Sequence, residues 1–178
     1  MKIIQGKYKG RILKGFDING TRPTMDRVKE SLFATIQNKV KDSVVLDLFA
    51  GSGALGIEAL SMNAKDVVFV DKNKVSINVI KENLSNIKES RLVINKDYQD
   101  ALLSLKDEYK FDIIFLDPPY KENFISVALE LICKYNLIAE EGIIVCETDE
   151  IKKIIIPSSL KEIKTKKYGE KIVVILKK

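Results

Sequence analysis

Two short runs have residue types and spacing that could carry chemistry: Asp117-Pro118-Pro119-Tyr120 and Gly51-Ser52-Gly53-Ala54-Leu55-Gly56. Consecutive prolines fix φ and cannot donate, so they hold the chain stiffly and aim the Asp117 carboxylate and the Pro118 carbonyl outward as acceptors. Two such acceptors can hold both hydrogens of an exocyclic base amine and turn its lone pair toward an electrophile. Tyr120 offers a flat face on which the base can stack. Asp117, Pro118, Pro119 and Tyr120 are therefore the candidate catalytic residues. A methyl group on a sulfonium is a suitable electrophile, and its transfer needs alignment and charge stabilisation more than a strong base. The chain has no histidine, which removes the commonest general base, the usual zinc ligand and every histidine-dependent triad. Methyl transfer to an aromatic amine does without one.

The glycine run fits a dinucleotide-type turn, Gly51-x-Gly53-x-x-Gly56, with Asp71 placed 20 residues after Gly51 to accept ribose hydroxyls. Glycines there let the backbone approach an adenosine-containing cofactor closely. Asp47 lies four residues before Gly51, where a carboxylate suits a cationic amino acid and sulfonium better than a pyrophosphate. Asp97 is placed to accept from an adenine amine, with Tyr98 covering the ring, although an acid there equally suits the cap of the next helix. S-adenosylmethionine is favoured over NAD. The candidate cofactor contacts are Asp47, Phe49, Ala50, Gly51, Ser52, Gly53, Asp71, Lys72, Asp97 and Tyr98, and no metal site is expected.

These residues need a scaffold that brings turns together at one edge. Apolar β-branched runs at 44–49, 66–70, 92–94, 111–116 and 142–146 alternate with helix-period segments at 54–62, 75–87, 98–105 and 124–135. Almost continuously apolar strands separated by helices predict a doubly wound α/β fold, a mostly parallel sheet covered on both faces. Two further strands at 161–167 and 171–176 close it with an antiparallel hairpin, for seven strands of Rossmann-like type. Residues 1–22 read as a basic β-hairpin arm built from short strands at 2–4 and 11–13, and 23–178 as the main domain. Thr24 is the expected N-cap of a helix with apolar positions Val28, Leu32, Ile36 and Val40.

The net charge of +5 conceals polarity along the chain: +7 over residues 1–41, −7 over 42–160 and +5 over 161–178. A basic start and end around an acidic middle point to a polyanionic partner held by the ends. Lys7, Lys9, Arg11, Arg22 and Arg27 are the candidate phosphate contacts, because guanidinium forks bind phosphate at low desolvation cost. Cys133 and Cys146 fit no metal or redox spacing and are expected to be buried free thiols. No secretory leader pattern and no apolar run of membrane-spanning length is seen, so a cytoplasmic protein is expected.

The chain resembles the RsmD-type 16S ribosomal RNA guanine N2-methyltransferases of bacteria. The glycine run and the Asp-Pro-Pro-Tyr loop are shared widely among methyltransferases. The specific elements are Ile3-Ile4-Gln5-Gly6-Lys7-Tyr8-Lys9-Gly10-Arg11 and Thr21-Arg22-Pro23-Thr24-Met25-Asp26-Arg27-Val28-Lys29-Glu30-Ser31-Leu32-Phe33. Lys2 departs from the arginine expected there. The resemblance implies methylation of the guanine at position 966 (standard bacterial numbering), in the small ribosomal subunit or an assembly intermediate. A small enzyme facing a large RNA needs no partner chain, so a monomer is expected. Residues alone reach only a base amine within a polyanion. They leave open an adenine N6-methyltransferase or a non-catalytic RNA-binding assembly module.

Overall fold

The computed structural model describes residues 1–15, 22–119, 123–151 and 154–178, with residues 22–25 as backbone only. Its elements run α1 (Arg22–Val40), β1 (Val44–Asp47), α2 (Ala54–Ser61), β2 (Asp66–Asp71), α3 (Lys74–Asn86), β3 (Val93–Asn95), α4 (Tyr98–Leu105), β4 (Phe111–Leu116), α5 (Phe124–Lys134), β5 (Ile138–Thr148), β6 (Lys161–Tyr168) and β7 (Lys171–Lys177). The seven strands form one sheet in the order β3-β2-β1-β4-β5-β7-β6. Strands β1 to β5 pair in parallel, while β7 pairs antiparallel with both β5 and β6. The predicted doubly wound sheet with an antiparallel closing hairpin is therefore observed.

Side-chain alternation along each strand sorts the core into two layers. Val45, Phe115, Val145 and Val173 face a layer filled by Phe33 and Ile36 of α1, Ile57 of α2 and Ile80 of α3. Leu46, Leu116, Cys146 and Val174 face the other, filled from α4 and α5 by Leu102 and Leu129. The strand order reverses at β1, which opens a crevice at the carboxyl ends of β1 and β4 where ligands bind in such sheets.

Several boundaries differ from expectation. Helix α1 starts at Arg22, so Thr24 lies inside its first turn rather than capping it. Pro23 explains the earlier start, since its fixed φ suits a first turn and the N–H it lacks would have no helical partner there. Strand β5 runs from Ile138, four residues earlier than expected, because Ile138 pairs with Phe111 before a register shift. Cys146 is fully buried, as expected, and burial pushes its thiol up; Cys133 is only half-buried.

The amino-terminal arm lies flat on the main body. Its own ladder is one antiparallel bridge, Lys2 with Ile12, flanked by backbone bonds from Ile3 N to Arg11 O and Gly10 N to Ile3 O. Ile3 and Leu13 belong to the α1-side core. Gly6 has φ +79°, and a Cβ there would stand 1.9 Å from the Ser61 carbonyl oxygen, so this turn accepts no side chain. Glu58 on α2 accepts the Ile4 and Gln5 N–H groups at 2.7 to 3.1 Å and pairs with Lys29 of α1 at 2.8 Å. Lys29 also donates to the Lys2 carbonyl.

Candidate active site

Each of the five parallel strands delivers an acid at or just beyond its carboxyl end: Asp47, Asp71, Asp97, Asp117 and Glu147. The first four were singled out in the sequence.

Asp47, which ends β1, is 2% exposed, and its Oδ2 accepts the Gly56 N–H at 3.0 Å. Strand end and helix start are thereby tied together across the turn. Gly51 and Gly53 hold φ of +55° and +79°, the left-handed values the turn needs. Gly56 has a separate reason: a Cβ there would lie 2.3 Å from the Phe69 ring, so only glycine lets α2 pack this close to β2. Asp71 accepts the Gly51 N–H through Oδ2 and the Asn73 N–H through Oδ1. Each oxygen keeps a lone pair, so the carboxylate can also accept ribose hydroxyls.

Phe49, Tyr98 and Phe124 come together from the β1–α2 turn and the starts of α4 and α5, with centroids 5.2 to 5.9 Å apart. Lys72 lies with its Nζ 5.8 Å from the Phe124 centroid. Tyr98 is 7% exposed, so it supports this cluster from beneath, while the half-buried Phe49 and Phe124 present its outer part. Asp97 is not the last residue of β3 but the N-cap of α4, accepting the Gln99 N–H at 3.0 Å. Glycine turn, ribose-side carboxylate and aromatic cluster together fit an adenosine-bearing cofactor. Ala50 and Ser52 complete the turn: the Ala50 N–H bonds to Val70, and the Ser52 carbonyl accepts from Asn83.

Asp117 follows β4, with Pro118 buried and Pro119 exposed; Tyr120 lies outside the described residues. Burial pushes the Asp117 carboxyl well above the usual carboxylate range, and the Glu147 carboxylate beside it adds to the rise. Lys171 of β7, ion-paired to Glu147, works in the opposite direction. Sequence reasoning passed over Phe124, Asn83, Glu147 and Lys171. The signals were a polar residue on the buried stripe of α3 and an acid ending an apolar strand like its neighbours.

The expected phosphate contacts are dispersed. Lys7 pairs with Glu89 at 3.0 Å, and Arg11 donates to the Asn86 carbonyl at 2.8 Å, both at the end of α3. Lys9 and Arg27 are exposed, and the Arg22 side chain lies outside the described residues. Among the described residues no group of three or more potential ligands could hold a metal, and no helix is long and apolar enough to cross a membrane.

The buried Asp47 gives a pH signature. Burial pushes its carboxyl up to about 7, more than the Gly56 N–H pulls it down, and Asp71 adds to the rise. The unfolded chain releases this proton near pH ~4, so between there and neutrality the folded state holds a proton the unfolded chain has lost. Stability must fall as pH rises through that window, and the raised Asp117 carboxyl carries the fall on to about 8. Thermal denaturation of the cofactor-free protein from about pH 5 to about pH 8 is expected to show a declining midpoint. Asp47→Asn, which keeps an acceptor for Gly56, is expected to flatten the decline.

The whole chain has close relatives. The ribosomal RNA small subunit methyltransferase D of Haemophilus influenzae is 40% identical over 172 residues, spanning 95% of this chain and 89% of that protein. The corresponding protein of Escherichia coli K12 is 33% identical over 84% of this chain and 75% of its own length. A solved E. coli structure described as a methyltransferase superposes with a TM-score of 0.88 at 30% identity, covering 100% of this chain and 97% of that one. A family model described as conserved hypothetical protein 95 matches residues 1–177, and the chain belongs to that family, the RsmD-type family its motifs resemble.

Proposed function

We propose that the protein transfers a methyl group from S-adenosylmethionine to the exocyclic N2 amine of a guanine in 16S ribosomal RNA. The observation that carries this reading is the half-buried Asp117 at the carboxyl end of β4, in the crevice beside the β1 glycine turn. The names of the relatives supply the small-subunit RNA, and the family resemblance supplies guanine 966.

When bound, S-adenosylmethionine supplies a methyl group on a sulfonium, an electrophile that needs no further activation. The chain's residues do the rest. The Gly51–Gly53 turn and Asp71 seat the nucleoside, and Phe49 and Phe124 border its ring. Asp117 and the Pro118 carbonyl hold the amine hydrogens, so the nitrogen lone pair turns toward the methyl group. Positive charge growing on nitrogen is met by the Asp117 carboxylate, which then takes the extra proton, so no histidine is needed. Tyr120 stacks on the base. Lys7, Lys9, Arg11, Arg22 and Arg27 contact phosphates and hold the RNA in register, in a cytoplasmic enzyme that works as a monomer.

The test supplies labelled S-adenosylmethionine with small subunits lacking the modification, with free 16S RNA and with DNA, and identifies the methylated nucleoside. N2-methylguanosine in 16S RNA is expected. Label in N6-methyladenine instead overturns the base assignment, and an absence of methylated product from all three overturns the enzyme.

A further inference from the structure

Asp117, Glu147 and Lys171 form a row at the edge of the sheet. Leu116 and Cys146 are register partners on β4 and β5, so Asp117 and Glu147, one residue further on each strand, stand side by side. Lys171 opens β7, the next strand over, and its Nζ is ion-paired to Glu147 Oε1. Alternation places all three on one face: Phe115, Val145 and Val173, each two residues away, belong to the α1-side core. Asp47 lies on the same face, since Val45 does. The Glu147 side chain is 13% exposed and that of Lys171 25%, so both are largely desolvated beside Asp117.

The row therefore runs donor, acceptor, acceptor. Three common bases carry exocyclic amines, and they differ at the neighbouring ring positions. In adenine and cytosine the one ring nitrogen next to the amine presents a lone pair, and the neighbour on the other side is a ring carbon. Guanine alone has a ring N–H next to its amine, with the O6 acceptor beyond it. Its edge reads acceptor, donor, donor, the complement of Lys171, Glu147 and Asp117.

We infer that Glu147 and Lys171 select guanine, Glu147 accepting N1–H and Lys171 donating to O6 while Asp117 holds the N2 amine. This rests on the guanine-amine reading above and adds two residues to it. Adenine in the same pose turns the N1 lone pair onto the Glu147 carboxylate, a repulsion in a desolvated site that contact elsewhere does not offset.

The test compares small subunits reconstituted with 16S RNA that carries guanine or 2-aminopurine at the methylated position. The analogue keeps the N2 amine but lacks O6 and N1–H. The wild-type protein is expected to prefer guanine in kcat/KM by roughly 100-fold or more, as sites built on buried hydrogen bonds do. Both groups also act on the Asp117 carboxyl, so the readout is the ratio: Glu147→Gln and Lys171→Met are expected to lower kcat/KM for guanine roughly 10- to 100-fold more than for the analogue. Lys171→Arg, which keeps the donor, retains the preference. Unaltered thermal unfolding and S-adenosylmethionine affinity in each variant establish that the fold and cofactor site are intact. If the wild type makes N2-methylguanosine but does not discriminate, or the variants lose both substrates equally, the selection role is overturned and the activity stands. If the wild type makes no N2-methylguanosine, the functional reading falls and this inference falls with it.

Discussion

Glu58→Ala is expected to destabilise the protein by about 3–5 kcal/mol, the usual cost of removing one partner from a buried ion pair. Glu58 is 1% exposed and Lys29 4%, so the truncation leaves an ammonium in the core with the Lys2 carbonyl as its remaining acceptor among the described residues. It also strips the acceptor from the Ile4 and Gln5 N–H groups. The damage is concentrated where the arm meets α2. Chemical denaturation measures the loss, and limited proteolysis locates it: cleavage near the amino terminus should accelerate before cleavage in the sheet. The double variant Lys29→Met, Glu58→Leu should be less harmful than the sum of its parts, because no charge is then stranded. A Glu58→Ala protein with a wild-type unfolding midpoint contradicts this account of the arm.

The second large effect concerns rate. Asp117→Ala removes one of the two acceptors that orient the amine, and the expected loss is roughly 10²- to 10⁴-fold in kcat, a range spanned by positioned acid–base and electrostatic groups. S-adenosylmethionine affinity should change little, because the contacts assigned to it lie on β1, β2 and the aromatic cluster. Asp117→Asn separates two roles. Its amide keeps a carbonyl acceptor, so activity falling well short of the alanine loss shows that Asp117 acts as an acceptor. Loss equal to alanine shows that the negative charge matters as well. The raised carboxyl of Asp117 supports a contribution from charge: activity should climb with pH as that group ionises, and the slope should vanish in Asp117→Asn. Steady-state kinetics on unmodified small subunits across neutral pH measures the wild type and both variants.

Much of this was legible in the sequence because it is local. Alternating β-branched and helix-period segments fixed the strands in order, and glycine spacing located the turn that Asp47 and Asp71 brace. What escaped depends on residues far apart in the chain. Glu147 and Lys171 are 24 positions apart, and nothing in either neighbourhood says that β7 inserts beside β5 and brings them together. Asn83 looks like an ordinary polar residue in a helix, yet its side chain bonds the Lys14 backbone on one side and the Ser52 carbonyl on the other. The start of α1 was misplaced because a threonine cap is a local preference, which Pro23 and the packing of Val28, Leu32 and Phe33 outweigh. Lys7 and Arg11 showed only their charge in the sequence. Their contacts with α3 mean that both must share themselves between the protein and any phosphate.

The arm is also synthesised well before the elements it docks on. Its partners Glu58, Ser61, Asn83 and Glu89 lie 53 to 82 residues downstream. During translation the opening residues therefore have nowhere to dock until α3 has emerged. Ile3 and Leu13 stay exposed to solvent until then, and the loop they close carries an entropic cost that shorter contacts avoid. A segment that must wait for its core is a place where chaperone contact, or slow synthesis between the arm and α3, decides how much protein reaches the native state.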